Sequence, residues 1–228
     1  MTILVATGLQ RERRLLEGPG LRVVAGGGDA LRLEAALARL AEGAAGIISI
    51  GIAGGLAPEL RSGHWVVATA VHDEVVSIPT DSAWRERLLA HLPGATSRTI
   101  VGSDVIVAEA AKKADLHRAT GAAAVDMESH IAGRIAQRLG LPFAAARVVS
   151  DAAHRTLPPA ARVGMRPDGA IDVLAVLRSL VEKPGQLGAL IRTGVDAERS
   201  FRSLLRGHRL LGRGLCGPDV GELPRNVV

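Results

Sequence analysis

The chain has 228 residues, 47% of them hydrophobic and 22% charged, which suits one α/β domain with a full buried core. The net charge of +5 is compatible with anionic ligands, but only 2% of the residues are aromatic and tyrosine is absent, which argues against nucleic-acid recognition by base stacking. The single cysteine, Cys216, cannot form an intramolecular disulfide, and no Cys/His spacing is typical of zinc, so we expect no metal.

The first 71 residues alternate between apolar runs and helical patterns. A glycine-rich turn over 51–56 is expected directly after the third strand, where glycine gives the backbone freedom. The patterns predict strands at 3–6, 21–25, 46–50 and 65–71, and helices at 10–16 and 30–42.

The middle of the chain continues this alternation up to residue 150. Such an order of strands and helices predicts a largely parallel sheet that is covered on both faces. The predicted elements are helices at 82–92, 109–120 and 129–139, and strands at 99–107, 122–126 and 143–150.

The last part of the chain predicts helices over 171–181 and 187–211, followed by a tail over 212–228. We divide the chain into a catalytic domain, 1–182, and an Arg-rich helical extension of the same domain, 183–228. Arginines and leucines alternate in the long helix in a basic amphipathic pattern. Such a helix packs on the core or on another subunit with its arginines in water, or it lies on an anionic membrane surface.

The N-terminus carries no basic segment before its short apolar run, and no apolar run reaches about 18 residues. We therefore expect a cytoplasmic protein, with peripheral contact at the inner face of the membrane as an alternative.

Three acidic residues follow predicted strands and are candidates for chemistry. Asp151 ends an apolar strand, Glu128 precedes a helix, and Glu12 follows the first strand. Each has an ordinary structural explanation, such as a helix cap, a first-turn acid or an exposed helical residue. Together, at the edge of one α/β sheet, they favour sugar and base recognition or acid/base catalysis. The pair Lys112-Lys113 is interpreted as a solvated helix face.

Four blocks of sequence resemble the nucleoside phosphorylases and the methylthioadenosine/S-adenosylhomocysteine nucleosidases, over about residues 1–180. The resemblance implies a three-layer αβα nucleoside phosphorylase-like fold with a central mixed, partly barrel-like sheet. The middle of the chain and its Arg-rich helix resemble the hopanoid-associated branch, which implies adenosylhopane as substrate. The blocks are Gly8 with Glu12, 51–56 with 62–67, 125–128 (VDME) and 149–151 (VSD).

The resemblance also implies a role for each matching residue. Asp151, aided by Ser150, would donate a proton to purine N7, and Glu128 with Met127 would hold the ribose. Glu12 would activate water. The remaining implied contacts are those of Ile106 and Val107 with the purine, where relatives often have phenylalanine, and those of Ala53 and Gly54 with the substrate.

Water and phosphate both remain open as the nucleophile. The glycine block lacks the arginine that phosphorylases use there, which favours hydrolysis, but phosphate as a co-substrate could bind the basic set Arg11, Arg13, Arg14, Gly26–Gly28 and Arg32. The resemblance implies no other cofactor. It does imply a homo-oligomer. Alternative functions are a methylthioadenosine/S-adenosylhomocysteine nucleosidase, a general purine nucleoside phosphorylase, or a nucleoside- or lipid-binding protein without activity.

Overall fold

The computed structural model describes residues 2–73, 76–163, 169–170 and 172–218. Its strands are β1 (Thr2–Thr7), β2 (Leu21–Ala25), β3 (Ala44–Gly55), β4 (Trp65–His72), β5 (Ser77–Pro79), β6 (Thr96–Gly102), β7 (Ala124–Asp126) and β8 (Phe143–Asp151). Its helices are α1 (Gln10–Leu16), α2 (Ala30–Leu40), α3 (Ser82–His91), α4 (Ala110–Thr120), α5 (Ser129–Leu139), α6 (Pro159–Val163), α7 (Val173–Glu182) and α8 (Leu187–Leu211). A 3₁₀ turn, Pro184–Gln186, precedes α8.

Five strands close into a barrel-like ring in the order β3, β7, β6, β4 and β8, with β8 pairing back to β3. Strands β1 and β2 extend the sheet from β3, and β5 extends it from β4. Buried apolar side chains fill both faces of the sheet, with α2 and α5 on one face and α3 and α8 on the other. The prediction of an αβα fold with a mixed, partly barrel-like sheet is confirmed.

The expectation of a largely parallel sheet needs correction. Strand β4 runs antiparallel to β5 and β8, and β7 runs antiparallel to β3, while the other pairings are parallel. In the ring, β8 pairs in parallel with β3 on one side and antiparallel with β4 on the other.

The glycine-rich block is part of a strand and not a turn. Strand β3 continues through Gly55 because residues 51–53 pair with β8, and Gly54 and Gly55 pair with β7. The prediction of a turn over 51–56 is therefore wrong. These glycines lie where β3 passes from pairing with β8 to pairing with β7, and they do not end the strand.

Strand β6 is shorter at its end than predicted. It stops at Gly102, because its partner β7 ends at Asp126, and the Ser103 N–H then donates to the Asp126 carbonyl oxygen. Residues 103–107 form a loop, although Val105, Ile106 and Val107 are typical of a strand. This loop becomes one wall of the candidate site.

Helix α8 has the predicted bounds, and its C-terminal half buries Phe201, Leu204 and Leu211. Residues 212–218 do not trail off as predicted, because Leu215 is fully buried and its carbonyl oxygen accepts a hydrogen bond from the Trp84 ring N–H at 2.9 Å. The remainder of the predicted tail, 219–228, lies outside the described residues. In the part of the chain that the structure describes, no helix is both long and apolar enough to cross a membrane.

Candidate active site

A cavity of about 150 Å³ opens where β3, β7 and β8 end beside the loop 103–107. Eight of the nine predicted site residues line it, and only Asp151 lies behind its wall. The lining residues are Gly8, Leu9, Glu12, Ile52, Ala53, Gly54, Val105, Ile106, Val107, Val125, Asp126, Met127, Glu128, Ser150 and Leu157.

Glu12 is buried in the first turn of α1 and holds its carboxylate in a fixed orientation. Oε2 accepts hydrogen bonds from Thr7 Oγ1 at 2.5 Å, from Gly8 N at 2.8 Å and from Leu9 N at 2.7 Å. The last of these is the backward bond that a glutamate at the third helical position makes to the cap residue. Oε1 accepts from Ile52 N at 2.6 Å, so this oxygen faces the end of β3 and the cavity.

Arg147 lies fully buried in the middle of β8, among the carboxyl groups of the cavity. Its Nε lies 2.7 Å from Asp126 Oδ2, and its Nη2 lies 3.2 Å from Glu128 Oε2. Nη2 also donates to the Ser49 hydroxyl. Nη1 has no hydrogen-bond acceptor among the described residues, which leaves one buried donor free for a bound ligand or water.

The pKa of the Glu128 carboxyl is raised to about 8, because burial disfavours its charged form. Arg147 lowers it, but the negative charges of Asp126 and Glu12 raise it further. Burial lowers the pKa of Arg147, but the three carboxyl groups outweigh this effect, and its pKa lies above the ordinary value. The site therefore holds one permanent cation among three acids, and one of these acids changes its charge near neutral pH.

Two glycines give these acidic side chains their space. A β-carbon at Gly51 would lie 2.5 Å from Glu12 Oε1 and 2.8 Å from Arg147 Nη1. A β-carbon at Gly8 would lie 2.9 Å from Glu128 Oε1 and 3.5 Å from Glu12 Oε2. The contacts of 2.5, 2.8 and 2.9 Å are closer than unstrained carbon–oxygen or carbon–nitrogen packing, so a β-carbon at either position would displace the cluster.

Ser150 connects the cavity with Asp151. Its hydroxyl lies 3.0 Å from the Ala53 carbonyl oxygen and 2.5 Å from Asp151 Oδ1, and a hydroxyl has only one proton to donate. The hydroxyl therefore donates to one of these two oxygens at a time, and Ser150 lies between the cavity and the carboxyl group of Asp151.

Lys113 is fully buried on α4 and pairs with Asp151 Oδ2. It was predicted to lie on a solvated helix face, and that prediction is wrong. Its neighbour Lys112 is exposed, as predicted, and pairs with Glu109 across the helix surface. The helix turns Lys113 inward to the segment that follows β8, where its ammonium group finds oxygen acceptors.

The sequence model of the phosphorylase superfamily matches residues 23–182. The chain belongs to the phosphorylase superfamily. The prediction of an enzyme that cleaves N-glycosyl bonds is thereby confirmed at the level of this superfamily. A comparison with curated protein sequences gives no significant match.

Several solved structures of superfamily members are similar to this chain. S-adenosylhomocysteine nucleosidase from Streptococcus pyogenes, in complex with 5-methylthiotubericidin, has a TM-score of 0.64 and 19% identity, covering 91% of this chain and 95% of its own. A 5'-methylthioadenosine/S-adenosylhomocysteine nucleosidase from Helicobacter pylori has a TM-score of 0.63 and 16% identity, covering 92% and 96%. Futalosine hydrolase of H. pylori has a TM-score of 0.64 and 14% identity, covering 93% and 96%. At these identities the likeness shows the fold.

The arginines that were considered for phosphate do not line the cavity of this superfamily member. Arg11 pairs with Glu198 at 2.6 Å and lies over the Phe201 ring, and Arg13 pairs with Glu17 at 2.8 Å. All of these side chains except the Phe201 ring are at the surface, so Arg11 and Arg13 make surface interactions and do not reach the cavity.

Sequence reasoning missed Arg147, Asp126 and Lys113. A signal for Arg147 was present, because an arginine inside the apolar run AAARVVSD has to be buried together with an acid. Asp126 accepts from the N–H groups of Glu128 and Ser129 at 3.1 and 2.8 Å and so caps α5, while its second oxygen faces Arg147. No local pattern marks Lys113.

Proposed function

We propose that the chain hydrolyses the N-glycosidic bond of a 5'-substituted adenosine and releases adenine. The observation that carries the proposal is that one cavity joins an acidic cluster around Arg147 with the Ser150–Asp151 pair. Breaking an N-glycosidic bond creates positive charge on the sugar and negative charge on the base. The acidic cluster suits the positive charge on the sugar, and the Ser150–Asp151 pair suits the negative charge on the base.

On the base side, Asp151 supplies the proton that neutralises the leaving adenine at N7. Ser150 lies on the cavity wall and contacts Asp151 Oδ1, so the proton has a direct path from Oδ1 to the base through the hydroxyl. A general acid of this kind typically contributes about 10²–10⁴-fold in rate.

On the sugar side, Glu128 accepts hydrogen bonds from the ribose hydroxyls while Met127 contacts the ring. The ionised carboxylates of Glu128 and Glu12 stabilise the oxocarbenium-like sugar, because fixed charges in a buried site need no reorganisation as the reaction proceeds. Ile106, Val107, Ala53 and Gly54 provide the apolar walls for the purine.

Water is the nucleophile that the charges of the site favour. Glu12 Oε1 and the unpaired Nη1 of Arg147 both approach the space above Gly51, so together they provide one acceptor and one donor for a water molecule. Phosphate would bring negative charge into a cluster where one arginine already faces three acids. Coulomb repulsion in a buried site therefore disfavours phosphate.

The 5' substituent is proposed to be a large apolar group, as in adenosylhopane. Leu157 on the cavity wall lies two residues before α6, and α7 packs against α6. Helix α7 buries none of its side chains and exposes Val173, Leu174, Leu177 and Val181. An apolar surface of this kind, linked to the cavity wall through α6, suits a lipid substituent and contact with the membrane that carries it.

Product analysis with adenosylhopane and methylthioadenosine side by side tests the substrate. We expect a higher kcat/KM for adenosylhopane in mixed micelles, and Leu177→Lys should lower that value while leaving methylthioadenosine cleavage unchanged. A preference for methylthioadenosine in both proteins would instead support the methylthioadenosine/S-adenosylhomocysteine nucleosidase alternative. Tight adenosine binding without turnover of any substrate would support a binding protein.

Flotation with anionic liposomes tests the membrane contact. We expect the wild type to float at low salt and Leu177→Lys to remain in the bottom fraction, whereas a wild type that never floats would contradict the contact. The homo-oligomer implied by the family resemblance stays a prediction, which sedimentation analysis tests.

A further inference from the structure

Lys113 occupies a position that packing alone does not explain. The lysine side chain is 0% exposed, and Asp151 beside it is 7% exposed. Removing an ammonium group and a carboxylate from water is costly, and apolar residues of similar size often give equal or greater stability. A buried pair of this kind is therefore weak evidence for a stabilising role. Its position directly behind the reactive pair points to a role in the reaction.

The contacts of Lys113 satisfy the hydrogen-bond donors of its ammonium group. Nζ donates to Asp151 Oδ2, to the Arg155 carbonyl oxygen at 3.0 Å and, more weakly, to the Ala152 carbonyl oxygen at 3.5 Å. An ammonium group has three N–H donors, and these acceptors match their number. Lys113 therefore fixes one oxygen of Asp151 and leaves the other, Oδ1, to Ser150.

The three side chains form a row that leads out of the cavity. Ser150 lines the cavity, Asp151 lies behind Ser150, and Lys113 contacts the far oxygen of Asp151. We propose that Lys113 is a positioning residue that orients Asp151 and neutralises the carboxylate formed when Asp151 gives up its proton. The inference rests on the proposed function, because it assigns Lys113 a part in adenine release.

The proton transfer balances without any further reactant. The electron pair of the C–N bond leaves with adenine, whose N7 takes the proton of the Ser150 hydroxyl. Ser150 in turn takes the proton of Asp151 Oδ1. Asp151 is left as a carboxylate beside a lysine that stays an ammonium group throughout, so the row changes from a net charge of +1 to zero. Without the ammonium group, the same step would leave a buried charge without a partner.

Two substrates with different leaving groups distinguish a loss of proton transfer from a general loss of activity. Adenine needs a proton to depart, whereas p-nitrophenolate departs without one, so loss of the proton path slows only adenine release. Lys113→Met keeps most of the length of the side chain and removes its charge, and Lys112→Met, on the exposed neighbouring residue, is the matched control. We expect Lys113→Met to lower kcat for adenine release from methylthioadenosine by about 10–100-fold, within the range of general acid catalysis, with KM changed less than about threefold.

On p-nitrophenyl β-D-ribofuranoside, Lys113→Met should keep a rate within about threefold of wild type, and Lys112→Met should match wild type on both substrates. Equal losses on both substrates, or no loss on either, would overturn the proposal. If Lys113→Met fails to give a cooperative thermal transition, Lys113→Gln is measured in the same way. The glutamine keeps hydrogen-bonding capacity without charge, and the same selective loss is expected.

A second measurement uses the natural leaving group alone. In the Asp151→Asn background, adding Lys113→Met should change the remaining adenine release by less than about twofold, because a residue that acts through Asp151 has nothing left to act on. A further tenfold loss in the double variant would contradict the proposal. A wild type that releases no adenine from any nucleoside would instead refute the proposed function, which separates the two failures.

Discussion

Gly51 and Arg147 are direct partners across β3 and β8, and the missing side chain of Gly51 leaves the space where Arg147 and Glu12 approach each other. A β-carbon at this position would meet Glu12 Oε1 at 2.5 Å and Arg147 Nη1 at 2.8 Å. Gly51 therefore leaves the space in which the proposed nucleophilic water would bind.

Gly51→Ala should lower adenine release by about 10²-fold or more, because the new methyl group displaces both groups that would hold the water. Steady-state kinetics measures the loss. Gly188→Ala is the matched control, since no atom lies near its added carbon and alanine favours a helix, so it should keep full activity. An active Gly51→Ala variant would contradict the proposed position of the water.

Glu12→Gln should lower kcat by about 10²–10⁴-fold, the usual contribution of a general base. The fold should persist with lower stability, because the amide oxygen still accepts from the N–H groups of Gly8 and Leu9, while the amide nitrogen cannot accept from Ile52 N–H. Glu17→Gln, at the exposed end of the same helix, serves as the control. Adenine release by Glu12→Gln at the wild-type rate would remove Glu12 from the mechanism.

The activity should rise with pH, because Glu128 has a raised pKa of about 8 and its ionised form is the one that stabilises a positively charged sugar. We expect kcat/KM, which reports the free enzyme, to increase from about pH 6, to reach half of its maximum near pH 8 and to level off about one pH unit above that value. Glu128→Gln should be slower and should lack this rise. A rise of the same shape in Glu128→Gln would assign the titration to another group.

The same carboxyl group makes stability depend on pH. Because the pKa of Glu128 is raised in the folded state, the protonated group stabilises the fold fully below its ordinary pKa of 4.5, and this contribution is lost as the pH rises to about 8. Thermal melting should therefore show a smaller loss of stability between pH 5 and pH 8 in Glu128→Gln than in wild type. An equal loss in both proteins would contradict this assignment.

Arg147→Met should destabilise the fold by about 3–5 kcal/mol, because it leaves buried carboxyl groups without their counter-charge. Urea unfolding at pH 8 measures the change. Exposed Arg138, which pairs with Glu34 on the surface, is the control, and Arg138→Met should cost at most about 1 kcal/mol. A similar cost for the two variants would mean that the buried cluster does not depend on Arg147.

The site residues that could be predicted lie in short sequence blocks whose local structure is evident from the sequence. Glu12, Glu128 and Ser150 lie at the ends of strands or starts of helices that local patterns reveal, and the fold brings them to one cavity. The loop 103–107 was predicted as strand, because Val105, Ile106 and Val107 are apolar whether β6 continues or not. The end of β6 is set by the length of β7, which is a tertiary fact.

Lys113 could not be predicted for a related reason. Helix α4 has no clear apolar face, so the burial of Lys113 depends on an aspartate 38 residues away in the sequence. Arg147 was detectable in principle as a charge inside a buried strand, but its acidic partners lie on other elements. Pairings of this kind become visible only when the sheet closes.

The most direct test of the account is isotope incorporation during adenine release. The wild type is incubated with methylthioadenosine in phosphate-free buffer prepared with ¹⁸O-labelled water, and the sugar product is analysed by mass spectrometry. The account predicts free adenine together with a sugar that carries one ¹⁸O atom at C1. The absence of adenine, or release that depends on phosphate and yields an unlabelled sugar phosphate, would contradict it.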